Sequence, residues 1–101
     1  MVAARPPHVL VEIRAIVHPS RQDDVVSRFR GLLMRPVPDG LVSVQLLQTG
    51  AQWRILLWWQ DRDTLAGLRD SPQVAAAVEL FRALGAETAV SVLEVRHSRD
   101  R

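Results

Sequence analysis

A general base able to work near neutral pH without a large pKa shift would be a histidine in this chain. His8, His18 and His97 are the residues whose type exchanges a proton near neutral pH. His18 and His97, each at the end of an apolar run, are the candidate catalytic residues, although that placement also suits an ordinary surface histidine. Arg14 and Arg96 are the cations that could hold an enolate or phenolate, but each has a carboxylate two positions away, Glu12 and Glu94, as a competing partner. The three histidines are far apart and give no metal-ligand spacing, so no metal is expected. Ser43, Ser71 and Ser91 lack the flanking glycines of a nucleophile elbow and read as strand or capping residues.

The missing residue types narrow the chemistry further. There is no cysteine, lysine, tyrosine or asparagine. Disulfides, thiolate catalysis, cysteine metal sites, Schiff-base lysines and tyrosine acid/base groups are therefore excluded. All 13 basic residues other than histidine are arginines, against 11 acidic ones, for a net charge of only +2. The high pI of about 10.9 follows from arginine remaining charged to very high pH, and is not a nucleic-acid signature. The arginines are scattered singly. Arg21, Arg28 and Arg35 share a helical stripe, which reads as a solvated face with Asp24 spaced to pair with Arg28. Neither nucleic-acid nor membrane partners are expected, since no apolar run approaches the roughly 18 residues of a span. With no leader-like start, the protein is expected to be cytoplasmic.

At 101 residues the chain is expected to be one domain, with residues 1–7 and 98–101 as flexible tails. Residues 8–18, "HVLVEIRAIVH", alternate as a strand, with Val9, Val11, Ile13, Ala15 and Val17 on one apolar face. Ser20 is placed as a helix N-cap with Asp23 three residues on, and Val25, Val26, Phe29, Leu32 and Leu33 form the helical stripe. Pro36 and Pro38 end that helix. Residues 41–49 and 52–60 read as a hairpin joined at Gly50-Ala51. "DRDTLAGLRD" (61–70) suggests a short helix. Ser71-Pro72 then starts another, with Val74, Val78, Phe81 and Leu84 in period and Gly85 as its stop. Residues 88–97 form the last strand. The order β-α-β-β-α-β predicts an α+β, ferredoxin-like fold: one four-stranded antiparallel sheet with helices on one face.

Three of the five aromatic residues, Trp53, Trp58 and Trp59, fall within seven positions. Successive side chains of a strand point to opposite faces. The row Trp53, Ile55, Leu57, Trp59 is wholly apolar and belongs under the helices. Trp58 and Leu56 then lie on the open face with Leu10 and Ile16, beside Glu12, Arg14 and Arg54. Such a patch is unusual for a monomer, and burying it would contribute several kcal/mol. A two-fold homodimer covering Trp58, Leu56, Arg54, Arg14 and Glu12 is the simplest arrangement, with the charged residues paired among themselves.

In these features the chain resembles the antibiotic biosynthesis monooxygenase family of small dimeric α+β barrels. The likeness covers nearly all of residues 8–97. It rests on the β-rich start leading into a capped helix, on the turn Pro36-Val37-Pro38-Asp39-Gly40, and on "WQDRDTLAGLRDSPQV" (59–74). That last segment is similar to the family's strand-end Trp-x-(Ser/Asp)-x-(Glu/Asp)-x-Leu run. The resemblance implies a pocket between sheet and helices with Trp59 in its wall. It also implies oxygenation without cofactor: a deprotonated, electron-rich aromatic or quinone-precursor substrate reduces O2 itself, while the protein orients it and favours its anion. Trp59, Trp53, Phe29 and Phe81 are the candidate substrate-binding residues. Trp59 would serve equally as core filler, and the other three suit the core directly. The chain departs from the oxygenase branch in lacking Tyr and Asn. It also lacks the first-strand asparagine and second-helix histidine of the haem-degrading branch, so haem is not expected. The alternative is a non-catalytic, dimeric ligand-binding or structural barrel whose pocket its own side chains have filled.

Overall fold

The structure, a computed structural model, describes residues 8–60, 71–97 and 99. The helix expected over 61–70 and the tails at 1–7, 98, 100 and 101 lie outside the described residues. Among the described residues, four strands and two α-helices follow in the predicted order: β1 (Val9–Ile16), α1 (Gln22–Leu33), β2 (Leu41–Thr49), β3 (Gln52–Trp59), α2 (Pro72–Arg82) and β4 (Thr88–Glu94). The sheet order is β2-β3-β1-β4, all antiparallel. This is the ferredoxin-like fold, with both helices on one face. The central strands β1 and β3 carry the two longest apolar rows, and the edge strands β2 and β4 the shorter ones.

Register places each row as alternation requires. Val9, Val11, Ile13 and Ala15 stand opposite Trp59, Leu57, Ile55 and Trp53, and all eight are buried. Val25 and Leu32 of α1, and Val74, Ala77, Leu80 and Phe81 of α2, complete this core. The α1 stripe is narrower than predicted: Phe29 is half-buried against the core, while Val26 and Leu33 are exposed. On β4, Val90 and Val92 share the helix-side face with Ile13 and Val11 yet are about half-exposed, because the helices cover this edge incompletely.

The start of α1 differs from the sequence expectation. Ser20 is not its N-cap; a 3₁₀ turn, Pro19–Arg21, comes first, and the α-helix begins at Gln22 with no side-chain cap. Pro19 suits the first position of such a turn. The Ser20 hydroxyl is instead hydrogen-bonded to His18 Nδ1 at 2.8 Å, and that same nitrogen accepts from the Ser20 N–H at 3.1 Å. Asp24 pairs with Arg21 at 3.0 Å rather than with Arg28, since the shifted start leaves Arg21 just ahead of the first turn. Asp23 and Asp24 there complement the helix dipole.

At α2 the expectation holds. The Ser71 hydroxyl accepts from the Gln73 N–H and Pro72 follows it. The far end closes with Gly85 at φ +76°, its N–H on the Arg82 carbonyl and the Ala86 N–H on that of Phe81. Gly50, at φ +59°, makes the hairpin turn.

Truncating Phe81, which is fully buried, to alanine should cost about 3–5 kcal/mol in urea denaturation. Phe29→Ala should cost clearly less, and equal losses would contradict this placement of the core.

Candidate functional site

Trp59 ends β3 beneath the helices and is only 3% exposed, and its indole N–H has no acceptor among the described residues. Trp53, at 5%, opens the same strand on the same face with its N–H likewise unsatisfied. A buried donor without a partner costs about 1–3 kcal/mol, so two on one strand are an unusual expense for a packed core. Six residue steps along the strand separate them, about 20 Å. One small ligand therefore cannot contact both. Phe81 is fully buried, and Phe29 packs half-buried against the same cluster.

Sheet register sorts the histidines between these ends. Val9 stands opposite both Trp59 and Glu94, so His8 and His97 belong to the Trp59 end of the sheet. His18 follows Ile16, which pairs with Gln52, and so lies at the Trp53 end with its Nδ1 engaged by Ser20. All three histidines are exposed. The fold thus brings His97 to the end of the sheet where Trp59 is, and takes His18 to the other.

A tie near Trp59 was not legible in the sequence. The loop after α1 reaches β2 at Leu41, which stands opposite Trp59, and the Gln60 N–H bonds the Gly40 carbonyl at 2.7 Å. Gln73 Nε2 donates to the Pro36 carbonyl at 2.8 Å, and Gln73 is itself buried. This clamps the start of α2 to the Pro36–Pro38 loop. A cavity of about 300 Å³ lies here, lined by Arg35, Pro36, Val37, Pro38, Pro72 and Gln73. Another, of about 280 Å³, lies between the helices beside Gly31 and Ala76, and a third, of about 490 Å³, at the Trp53 end of the sheet. None of the three is lined by Trp59, Trp53, Phe29 or Phe81.

The open face carries the predicted charged set. Glu12, its side chain 15% exposed, takes Arg14 Nε at 3.2 Å on one oxygen and Arg54 Nη1 at 3.3 Å on the other. Trp58 is half-buried on this face and donates to Gln45 Oε1 at 3.0 Å. Leu10 stands beside it and Leu93 beyond Leu10, and Leu93, Leu47 and Ile16 are exposed. Arg96 pairs loosely with Glu94 at 3.8 Å, as its spacing suggested. Among the described residues no group of three or more His, Asp and Glu side chains comes together to hold a metal, and no helix is long and apolar enough to cross a membrane.

No protein-family model matches the sequence, and no curated protein matches it. The structure is similar to solved ones. SnoaB, a cofactor-independent oxygenase from Streptomyces nogalater, superposes with a TM-score of 0.61 at 20% identity over 92% of this chain and 97% of its own. A Caulobacter crescentus protein, provisionally described as an antibiotic biosynthesis monooxygenase, gives 0.67 at 14% identity over 92% and 93%. Rv0793 from Mycobacterium tuberculosis gives 0.59 at 19% identity over 92% and 99%. The chain therefore has the antibiotic-biosynthesis-monooxygenase-like fold. At these identities the likeness shows the fold alone.

Gln73→Ala removes the buried donor to the Pro36 carbonyl and should lower stability by about 1–3 kcal/mol. Gln73→Glu should be at least as damaging, because it sets a carboxylate against a carbonyl oxygen. Urea midpoints check both.

Proposed function

We propose that this chain is a cofactor-independent monooxygenase acting on a small aromatic or quinone-precursor substrate, and that it works as a homodimer. The observation that carries the reading is the buried indole N–H of Trp59 at the end of β3, which has no acceptor among the described residues. A donor held in a dry setting, in the fold SnoaB also has, is suited to an oxyanion. The segment from Trp59 towards Val74 is also where the sequence most resembles the monooxygenases.

In this reading His97 takes a proton from the substrate, and the electron-rich anion passes its electrons to O2. A methylene becomes a carbonyl and the second oxygen atom leaves as water, so the substrate supplies all the reducing equivalents. Of the two histidine candidates His97 is preferred, because His18 belongs to the opposite end of the sheet. Phe29 and Phe81 would complete an apolar wall with Trp59. Trp53, about 20 Å away along the strand, would act elsewhere.

The dimer reading rests on the open face, where Trp58, Leu56, Leu10, Leu93 and Ile16 surround the charged trio Glu12, Arg14 and Arg54. Two copies laid face to face would bury these apolar groups while the ion pairs are already made within each copy. A cytoplasmic setting is proposed with it.

One observation favours the second reading, a ligand-binding or structural barrel without turnover: Phe81 and Trp59 are packed, and the three cavities described above have other linings. Oxygen uptake with a panel of anthrones and hydroquinones separates the two. Uptake should exceed the buffer rate. It should fall about 100-fold in His97→Ala and also fall in Trp59→Phe, which keeps a ring in the core but removes the N–H. Wild-type rates equal to buffer would eliminate the oxygenase. Light scattering should give twice 11.3 kDa for the wild type and a single copy for Trp58→Arg. A monomeric wild type at micromolar concentration would end the dimer proposal.

A further inference from the structure

The two ends of the sheet differ, and the end away from Trp59 carries a cavity that the oxygenase reading does not use. β4 begins at Thr88, opposite Ala15, so Ile16 has no β4 partner. Gly85, at φ +76°, turns the chain into β4, and β1 therefore runs on past the end of its neighbour. The resulting notch holds a cavity of about 490 Å³, lined among others by Arg14, Ile16, Gln52, Glu87 and Ala89. That volume lies within the range of small-molecule sites. Its floor is apolar: Ile16 is 63% exposed, a large aliphatic side chain left uncovered.

Arg14 is the least satisfied charge on this face. Among the described residues its only partner is Glu12, 3.2 Å from Nε but outside hydrogen-bonding geometry, and the buried Nε–H has no acceptor there. Arg54, by contrast, donates to both Glu12 and Gln52. Two arginines thus share one carboxylate, which leaves Arg14 with unused N–H donors beside an apolar notch. Gln52 gives its Oε1 to Arg54, which frees its amide NH2 to donate. Glu87, exposed on the lining, sets a negative charge against any ligand with more than one.

We propose that this notch is a binding site for a small monocarboxylate with a short apolar body. The carboxylate sits on the Arg14 guanidinium with the Gln52 amide as second donor, and the body lies over Ile16 and Ala89. A planar guanidinium suits a carboxylate through paired N–H donors. The site lies on the sheet face opposite Trp59, at the other end of the strands, and is independent of the oxygenase reading.

The full-length protein is titrated calorimetrically with benzoate, hexanoate, succinate, benzyl alcohol and inorganic phosphate, while the arginine Nε–H resonances are followed by NMR. The oligomeric state of each sample is recorded, so that failure of the dimer and failure of this site are read separately. Benzoate and hexanoate should bind saturably and move the Arg14 Nε–H signal. Succinate, phosphate and the neutral alcohol should bind more weakly or not at all. Arg14→Gln should weaken benzoate by about tenfold or more, and Arg14→Lys by less. Glu87→Gln should tighten it, a gain that misfolding cannot imitate. Benzoate binding that is absent at millimolar concentration, unchanged in Arg14→Gln, unimproved in Glu87→Gln, or matched by phosphate would overturn the proposal.

Discussion

Alternation along β3 is the constraint on which the rest of the molecule depends. A strand cannot send adjacent side chains to the same face, so Trp58 and Trp59 are driven apart. Trp59 goes with Trp53, Ile55 and Leu57 beneath two helices, and Trp58 goes with Leu56 and Arg54 onto a sheet surface without helices. β1 repeats the division residue for residue through its pairing with β3. Because these are the two central strands, the core and the open face are settled together, and a one-residue slip would exchange them. The edge strands have more latitude, as the half-exposed Val90 and Val92 and the irregularity between Leu41 and Ser43 attest.

Each face keeps groups that the fold does not satisfy. Under the helices, among the described residues, these are the indole N–H groups of Trp53 and Trp59, both members of the buried core. On the open face it is Arg14, outcompeted for Glu12 by Arg54, whose geometry across the strand pair is better. Unmade hydrogen bonds of this kind cost stability, and they fall at positions with distinct settings. Trp59 is at a strand end beside a clamped loop, and Arg14 is at a notch left by strands of unequal length. The two settings are on opposite faces and at opposite ends of the sheet.

Most of the architecture was legible from periodicity and punctuation. The β1 row, the Gly50 hairpin, the Ser71-Pro72 start and the Gly85 stop are local signals with local causes, and local physics decided them. The start of α1 was misread for a local reason too: His18 competes for the Ser20 hydroxyl, and Pro19 favours a 3₁₀ turn, so the cap signature at Ser20 was not used. The candidate site was legible only in part. Trp59 stood out by type and position. The burial of Gln73 did not, because it depends on a carbonyl 37 residues earlier in the chain.

What the chain determined by itself was which side chains share a face, since that follows from the period of a strand or helix and from where Gly, Pro and Ser interrupt it. It also determined the chemistry it lacks, by carrying no cysteine, lysine, tyrosine or asparagine. Only the tertiary structure decided which of those faces meet and at which end. It parted His18 from His97, set Trp53 far from Trp59, gave Arg54 rather than Arg14 the better hold on Glu12, and opened a notch where β1 outruns β4. Each of these depends on register between strands distant in sequence. Register is fixed by the packing of whole rows against one another, which no single segment carries.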